Sequence, residues 1–166
     1  MPTMTEPREL FVHELGDVYY VEQLLVKTLP KLAREAKDAE LRKGFEDHLA
    51  ETKQQVENVR QVFKLVGESP KAEPCPGMDG IKQEHDKFVK EEKPSPEVLD
   101  LFLTGAGART EHYEIAAYSS LITGARALGE REAVALLQEN LKQEKDALKK
   151  METAAKRLAT QNGSGS

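Results

Sequence analysis

Glutamates occupy core positions in two amphipathic segments at opposite ends of the sequence. In the first segment, residues three or four apart form one apolar helix face with a glutamate in its middle: Phe11, Leu15, Val18, Glu22, Leu25 and Leu29. The last segment repeats this arrangement with Val134, Leu137, Leu141, Glu144, Leu148 and Met151. Because glutamate is rarely buried without a partner, its placement on two apolar faces suggests a shared ligand.

The two middle segments add further polar groups to their apolar faces. The second segment carries His48 on its face, with Glu51 and Gln55 at the edge, and the third carries Glu111 and Glu114. His48 is open to three interpretations: a metal ligand, a hydrogen-bond donor to a carboxylate, or a core histidine. Gln55 either coordinates through its carbonyl oxygen or donates a hydrogen bond to a ligand. Tyr118, four residues after Glu114, is open to bonding a ligand or to being a core residue with a polar tip.

The five carboxylates fall at a common height along their helices. Glu22 lies 16 residues before the turn expected at position 38, and Glu51 lies 13 after it. Glu114 and Glu144 are each 15 residues from the turn expected at position 129, and Glu111 is 18 residues from it. At a rise of about 1.5 Å per residue, these distances place all five near the middle of a bundle.

Carboxylates that converge in an apolar core repel one another and lose their hydration, so they must be protonated or held by a cation. We favour a cation. Oxygen ligands from four helices, supplemented by a histidine or glutamine, are typical of a di-iron or di-manganese site, with zinc also accepted by such ligands. The other titratable groups have simpler interpretations: solvated or surface positions for His13, His85 and His112, and a structural role for Cys75.

The elements that must position these groups are four long helices. We predict helices over 6–37 with Thr5 as N-cap, 38–66, 95–128 and 130–159, and a shorter helix over 78–91. Two tight helical hairpins joined by a long crossover predict an all-α, ferritin-like four-helix bundle. The 166 residues suit a single domain over 1–160, followed by a flexible tail over 161–166.

The composition of the chain limits which kinds of partner it can bind and in which compartment it is expected. A net charge of −5 argues against nucleic acid, and no apolar run approaches the roughly 20 residues that span a membrane. The single cysteine, Cys75, and an N-terminus without a secretory signal predict a cytoplasmic protein.

The chain resembles the YciE/YciF family of bacterial ferritin-like proteins over nearly its whole length. The matching stretches are 10–15, 19–25, 28–33, 48–52, 75–81, 111–118 and 144–145. This resemblance implies a homodimer, a di-metal site and a role in the stress response. Carried over by position, it implies metal ligation by Glu22, Glu51, Glu111, Glu114 and Glu144. The family usually has an acidic residue where this chain has Leu148.

Three functions follow from these residues. The first is a di-metal protein that handles iron, dioxygen or peroxide, with ferroxidase-like or peroxidase-like turnover as the possible enzymatic activity. The second is iron sequestration in an assembled shell. The third is a structural or interaction bundle without metal.

Overall fold

The computed structural model describes residues 1–163, and in that range the chain forms five α-helices and no β-strand. The helices are α1 (Pro7–Glu35), α2 (Ala39–Leu65), α3 (Pro76–Glu92), α4 (Pro96–Ala127) and α5 (Arg131–Gly163). The prediction of an all-α fold is therefore confirmed, with α4 and α5 as the predicted third and fourth long helices.

Local chemistry explains where the helices begin and end. The side chains of Asp38 and Ser95 accept hydrogen bonds from the backbone of α2 and α4, as predicted for N-caps. Gly67 and Gly129 adopt positive φ values of 76° and 77° just after α2 and α4, which is the backbone conformation that glycine allows at a helix end.

Most predicted helix bounds lie within two residues of the observed ones, and the differences at the start of α1 and the end of α5 can be described in detail. The N-cap of α1 is Glu6 rather than Thr5, because the Glu9 carboxylate reaches back to the Glu6 backbone N–H at 2.8 Å in a capping box. Helix α5 continues to Gly163, so the first three residues of the predicted tail are helical. Residues 164–166 of that tail lie outside the described part of the chain.

Each long helix packs against two others: α1 and α5 both contact α2 and α4, while α3 lies against α4. Two apolar clusters result. Core A joins the start of α1 to the ends of α2 and α4 and the start of α5, and includes Phe11, Leu15, Val59, Phe63, Leu121 and Leu137. Core B joins the rest of α1 to α3 and to the opposite ends of α2, α4 and α5, and includes Leu25, Leu29, Phe45, Met78, Leu103 and Met151.

The predicted inward faces of α4 and α5 are only half correct: the predicted residues that are buried are Glu111, Tyr118, Ile122, Leu137, Glu144 and Met151. In α5 the buried positions include Ala133, Asn140 and Ala147, whereas the predicted Val134, Leu141 and Leu148 are only half-buried. Small and polar residues thus face the centre of the molecule, and the larger aliphatic residues flank them. Within residues 1–163, no helix combines the length and apolar character that crossing a membrane requires.

Candidate metal centre

The polar groups predicted from the sequence lie between core A and core B. In α1 the site residue is Glu22, in α2 it is His48, in α4 they are Glu111 and Glu114, and in α5 it is Glu144. Their exposed fractions are 0%, 7%, 4%, 1% and 0% respectively, so the surrounding helices remove all five from solvent. A helix repeats its direction every three to four residues, so the spacing of the α4 glutamates points both inward.

Four of these side chains form a compact group, which we call the buried cluster: His48, Glu111, Glu114 and Glu144. One potential ligand atom from each lies within 4.8 Å of the others. His48 Nε2 lies 3.3 Å from Glu111 Oε1 and 3.8 Å from Glu144 Oε2. An imidazole nitrogen and three carboxylates at these separations could hold a metal ion.

Burial dominates the electrostatics of the site. It raises the pKa of Glu22, Glu111 and Glu114 well above the ordinary value of 4.5, and the Glu144 carboxylate raises all three further. Without a cation, these carboxyl groups therefore retain protons at pH values at which exposed glutamates have lost theirs. A metal ion would replace those protons, since both neutralise the same oxygens.

Two neighbouring side chains orient the carboxylates. The Tyr118 hydroxyl donates to Glu22 Oε1, and Gln55 Nε2 donates to Glu144 Oε1. In each case the second carboxylate oxygen, Oε2, is buried without a hydrogen-bond partner. Gln55 is thus placed as a donor to a predicted ligand, while its own Oε1 also lacks a partner.

The residues at the site fit a cation because their orphaned atoms are almost all electron-pair donors. Buried atoms without partners include Glu22 Oε2, Glu111 Oε2, both oxygens of Glu114, Glu144 Oε2 and His48 Nε2. Leaving such groups unpaired in the interior costs roughly 1–3 kcal/mol each. A single metal ion would satisfy several of them together.

Glu51 lies at the edge of the site rather than inside it. Its side chain is 31% exposed, and its Oε2 lies 3.4 Å from His48 Nδ1, which places it behind the imidazole. Its other oxygen faces Lys150 at 3.9 Å. Glu51 and Glu22 remain predicted ligands, but neither belongs to the buried cluster.

Sequence reasoning missed two asparagines that continue the site toward core A. Asn140 Nδ2 donates to Tyr118 Oη at 3.0 Å, and Asn58 Nδ2 donates to Asn140 Oδ1 at 2.8 Å. The signal was present, because Asn140 precedes Glu144 by four residues and therefore shares its face. Asn140 was missed because the predicted inward face of α5 was chosen from its leucines, which lie on either side of Asn140.

The remaining histidines divide as follows. His13 and His112 are exposed, as the sequence analysis expected. The expectation for His85 was wrong: it is 5% exposed, with Nε2 2.8 Å from Glu35 Oε2 and Nδ1 3.0 Å from Asp86 Oδ1. Its main partner is 50 residues away in sequence, so no local pattern indicates this burial.

The described residues form an all-helical protein with a buried histidine–carboxylate cluster that could hold a metal ion. Comparison with known proteins gives the family to which the chain belongs. The chain belongs to the family described as Domain of unknown function (DUF892), whose model matches residues 6–163. It is 38% identical to Protein YciF of Escherichia coli over 138 residues, which cover 82% of each chain. The resemblance to the YciE/YciF family is confirmed.

Solved structures agree with this assignment. The E. coli stress protein YciF matches with a TM-score of 0.89 and 35% identity, over 95% of this chain and 99% of that chain. YcfI of Rhodopseudomonas palustris, whose description proposes a structural role, matches with a TM-score of 0.88 and 38% identity, over 91% of this chain and 96% of that chain. A protein from Xanthomonas campestris, at 22% identity and a TM-score of 0.74, shares the fold over 93% of this chain and 94% of that chain.

Proposed function

We propose that this chain is a ferritin-like four-helix bundle that binds two metal ions and handles iron, dioxygen or peroxide. The observation that carries the proposal is the buried cluster, whose donor atoms lie within 4.8 Å of one another and are largely without hydrogen-bond partners. Iron is the metal we favour, and manganese or zinc would suit the same donors. A pair of iron ions would supply the electrons for reduction of a small oxidant.

The residues divide into two groups around the proposed metal positions. His48 and Glu111 lie on the core B side, while Glu22 and Gln55 lie on the core A side with unpartnered oxygens. Glu144 is shared, because it approaches His48 and also receives the hydrogen bond from Gln55. We propose that Glu114 is shared in the same way, since both of its oxygens are free.

The cellular setting of the proposal comes from the relatives and from the chain itself. YciF is described as a stress protein, and we propose a similar role for this chain as a single-domain, cytoplasmic homodimer. The free thiol of Cys75 is consistent with a reducing compartment. Native mass measurement tests the dimer and separates it from an iron-storing shell, which would be far larger.

Metal titration tests the proposed site. Protein freed of metal with a chelator is titrated anaerobically with Fe(II), and we expect two ions per chain. Glu144→Gln should lose most of that uptake, because it removes the carboxylate that both positions share. Glu139→Gln is the matched control, since Glu139 is an exposed residue of the same helix. Absence of uptake by the unaltered chain would reject the proposal.

A metal-free structural bundle is the second candidate, and one observation favours it. Ligand atoms of Glu144, Glu111 and Glu114 lie within 4.8 Å of one another and Glu144 raises the pKa of the other two, an arrangement that shared protons could stabilise without a cation. The description of YcfI points the same way. If this function is the correct one, Glu144→Gln will leave metal content unchanged and will raise the stability of the chain.

A further inference from the structure

A cavity of about 50 Å³ lies beneath α3, between α1, α2 and α4. Its inner end is lined by His48 and Glu111 of the buried cluster. Lys82 also lines it, and its side chain is 41% exposed, so this end lies at the surface. The cavity is therefore bounded both by a residue that reaches solvent and by two residues of the buried cluster.

The wall of this cavity is almost wholly apolar. Its apolar side chains come mainly from α1 and α3: Leu24, Leu25, Leu29, Leu32, Met78 and Ile81. The two threonines in the wall direct their hydroxyls back into their own helices, Thr28 to Leu24 O at 2.9 Å and Thr110 to Ala106 O at 3.1 Å. Those donors are thus already used.

His85, which lines the wall between the surface and the buried cluster, is similarly engaged, because both of its nitrogens lie at hydrogen-bond distance from carboxylates. A polar solute would therefore give up its hydration with little compensation, at a cost of several kcal/mol. A small apolar molecule loses almost nothing on entry.

Helix α3, which covers the cavity, is fixed to α1 along its length. The Tyr20 hydroxyl donates to Asp79 Oδ1 at 2.7 Å near the start of α3. Toward the middle, Lys31 Nζ contacts Asp86 at 2.9 Å and His85 contacts Glu35 at 2.8 Å. The cavity is thus held open by a tethered helix rather than by a loose segment.

A second opening reaches the cluster from another direction and differs in chemistry. It measures about 10 Å³ and is lined by Glu51 and Lys150 as well as by His48 and Glu111. A space of this size is at the limit of what one water molecule needs. Its charged rim suits ions, whereas the larger cavity offers an apolar wall.

We infer that the cavity beneath α3 is the route by which dioxygen reaches the His48–Glu111 side of the site. The inference rests on the proposed function, which requires a small oxidant at that site. Dioxygen is apolar and has two heavy atoms, so it matches both the wall and the volume. Hydrogen peroxide needs hydrogen-bond partners, which the wall offers only at the buried cluster and not on the way to it, so peroxide would enter elsewhere.

Oxygen-induced relaxation of methyl NMR signals tests the route in the metal-free protein, where no turnover contributes. Leu25 and Leu29 line the cavity, whereas Val59 and Leu121 of core A are buried to a similar degree and serve as controls. Under dioxygen, relative to argon, we expect faster relaxation for the methyls of Leu25 and Leu29. Equal relaxation in the two sets would overturn the inference.

A blocking substitution provides the second test. Ala106→Leu places a larger side chain in the cavity wall, and Ala116→Leu makes the same change at an exposed position of the same helix. The oxygen effect on Leu25 and Leu29 should disappear only in Ala106→Leu. If that variant does not fold, Thr28→Leu blocks the cavity from α1 at a half-buried position.

Iron-loaded protein then links the route to function. With Fe(II) uptake unchanged, oxidation by dioxygen should slow several-fold in the blocked variant, while oxidation by peroxide keeps the rate of Ala116→Leu. Unaltered oxidation by dioxygen, or equal slowing with both oxidants, would overturn the inference. If the chain takes up no iron, the proposed function fails, but the relaxation experiment still decides whether dioxygen enters the cavity.

Discussion

On the core A side, the proposed metal site meets a chain of hydrogen bonds; on the core B side it meets an apolar cavity. The chain runs from Glu22 through Tyr118 and Asn140 to Asn58, which in turn accepts from Gln54 Nε2 at 3.1 Å. Among the described residues of the cavity wall, the two hydroxyls bond within their own helices, and His85 bonds to Glu35 and Asp86 rather than to a residue of the buried cluster. One side therefore holds ligands in place, and the other leaves space beside them.

This difference teaches how one buried site can be both ordered and accessible. Side-chain bonds between helices fix the orientation of Glu22 and Glu144, so that a free oxygen of each remains available. On the opposite side, His48 is contacted from within its own helix, by Glu51 Oε2 at 3.4 Å from Nδ1, and the cavity adjoins its imidazole. Substitutions on the two sides should consequently differ in their cost to stability.

The largest expected effect is on the core A side, at Asn140. Its amide bonds to Tyr118, to Asn58 and, at 3.3 Å, to the backbone oxygen of Gln55. Asn140→Leu would strand at least two buried partners, each at a cost of roughly 1–3 kcal/mol. Urea denaturation should therefore show a loss of about 2–4 kcal/mol in the free energy of unfolding.

Asn162→Ala is the control for that measurement, because Asn162 is exposed and its hydrogen bond within the described residues is to Leu158 O of its own helix. We expect a change within about 0.5 kcal/mol there. A similar loss in the two variants would show that the interhelical chain contributes little.

The next effect in size is the pH dependence of the free energy of unfolding of the metal-free protein. Burial raises the pKa of Glu22, Glu111 and Glu114 above the ordinary value of 4.5. The folded state therefore binds protons that the unfolded state releases, and the free energy of unfolding falls as pH rises from 4.5 through the raised values. Denaturation with chelator present, at about pH 5 and about pH 7.5, should reveal this fall.

Glu114→Gln should lessen that fall, because both of its carboxylate oxygens lack partners. We expect it to stabilise the metal-free chain at the higher pH by roughly 1–3 kcal/mol, with Glu139→Gln unchanged. The proposed cost of burying these acids would be contradicted if, between the two pH values, the unaltered chain gained stability relative to Glu114→Gln.

The next effect in size belongs to the hydroxyl that orients Glu22. Tyr118→Phe preserves the ring, which is fully buried, and leaves Glu22 Oε1 and Asn140 Nδ2 without their shared partner. The expected loss is about 1–2 kcal/mol by urea denaturation, accompanied by weaker Fe(II) uptake. Tyr20→Phe is the control, since its bond to Asp79 is only part-buried. Equal losses in the two variants would argue against a special role for the core A chain.

The sequence predicted helices and their ends well where the signals are local. Asp38, Ser95, Gly67 and Gly129 each act through backbone groups a few residues away, and each marks a helix boundary as predicted. The inward face of α1 was also correct, because large aliphatic residues and Glu22 share it without ambiguity.

Interactions between residues far apart in the chain could not be predicted from the sequence. Asn140 meets Asn58 across 82 residues, and His85 meets Glu35 across 50, so neither pairing leaves a periodic signal. Periodicity placed both Glu51 and Gln55 at the edge of the α2 face; Glu51 is indeed at the edge, whereas Gln55 is fully buried, because packing decides the rotation of α2. The sequence was thus sufficient to predict most of the residues near the site, whereas their positions relative to one another could be learned only from the structure.

The smallest effect is expected in the cavity wall, at Thr28 and Thr110. Each hydroxyl bonds to the carbonyl four residues earlier, and that carbonyl already accepts the helical backbone bond, so its loss strands no partner. Thr28→Val and Thr110→Val should each change the free energy of unfolding by no more than about 0.5 kcal/mol. Thr153→Val controls for helix propensity, since exposed Thr153 makes the same bond, to Lys149 O. If either variant lost as much free energy of unfolding as Tyr118→Phe, the hydroxyls of the cavity wall would contribute as much as the core A chain. The proposed contrast between the two sides would then be wrong.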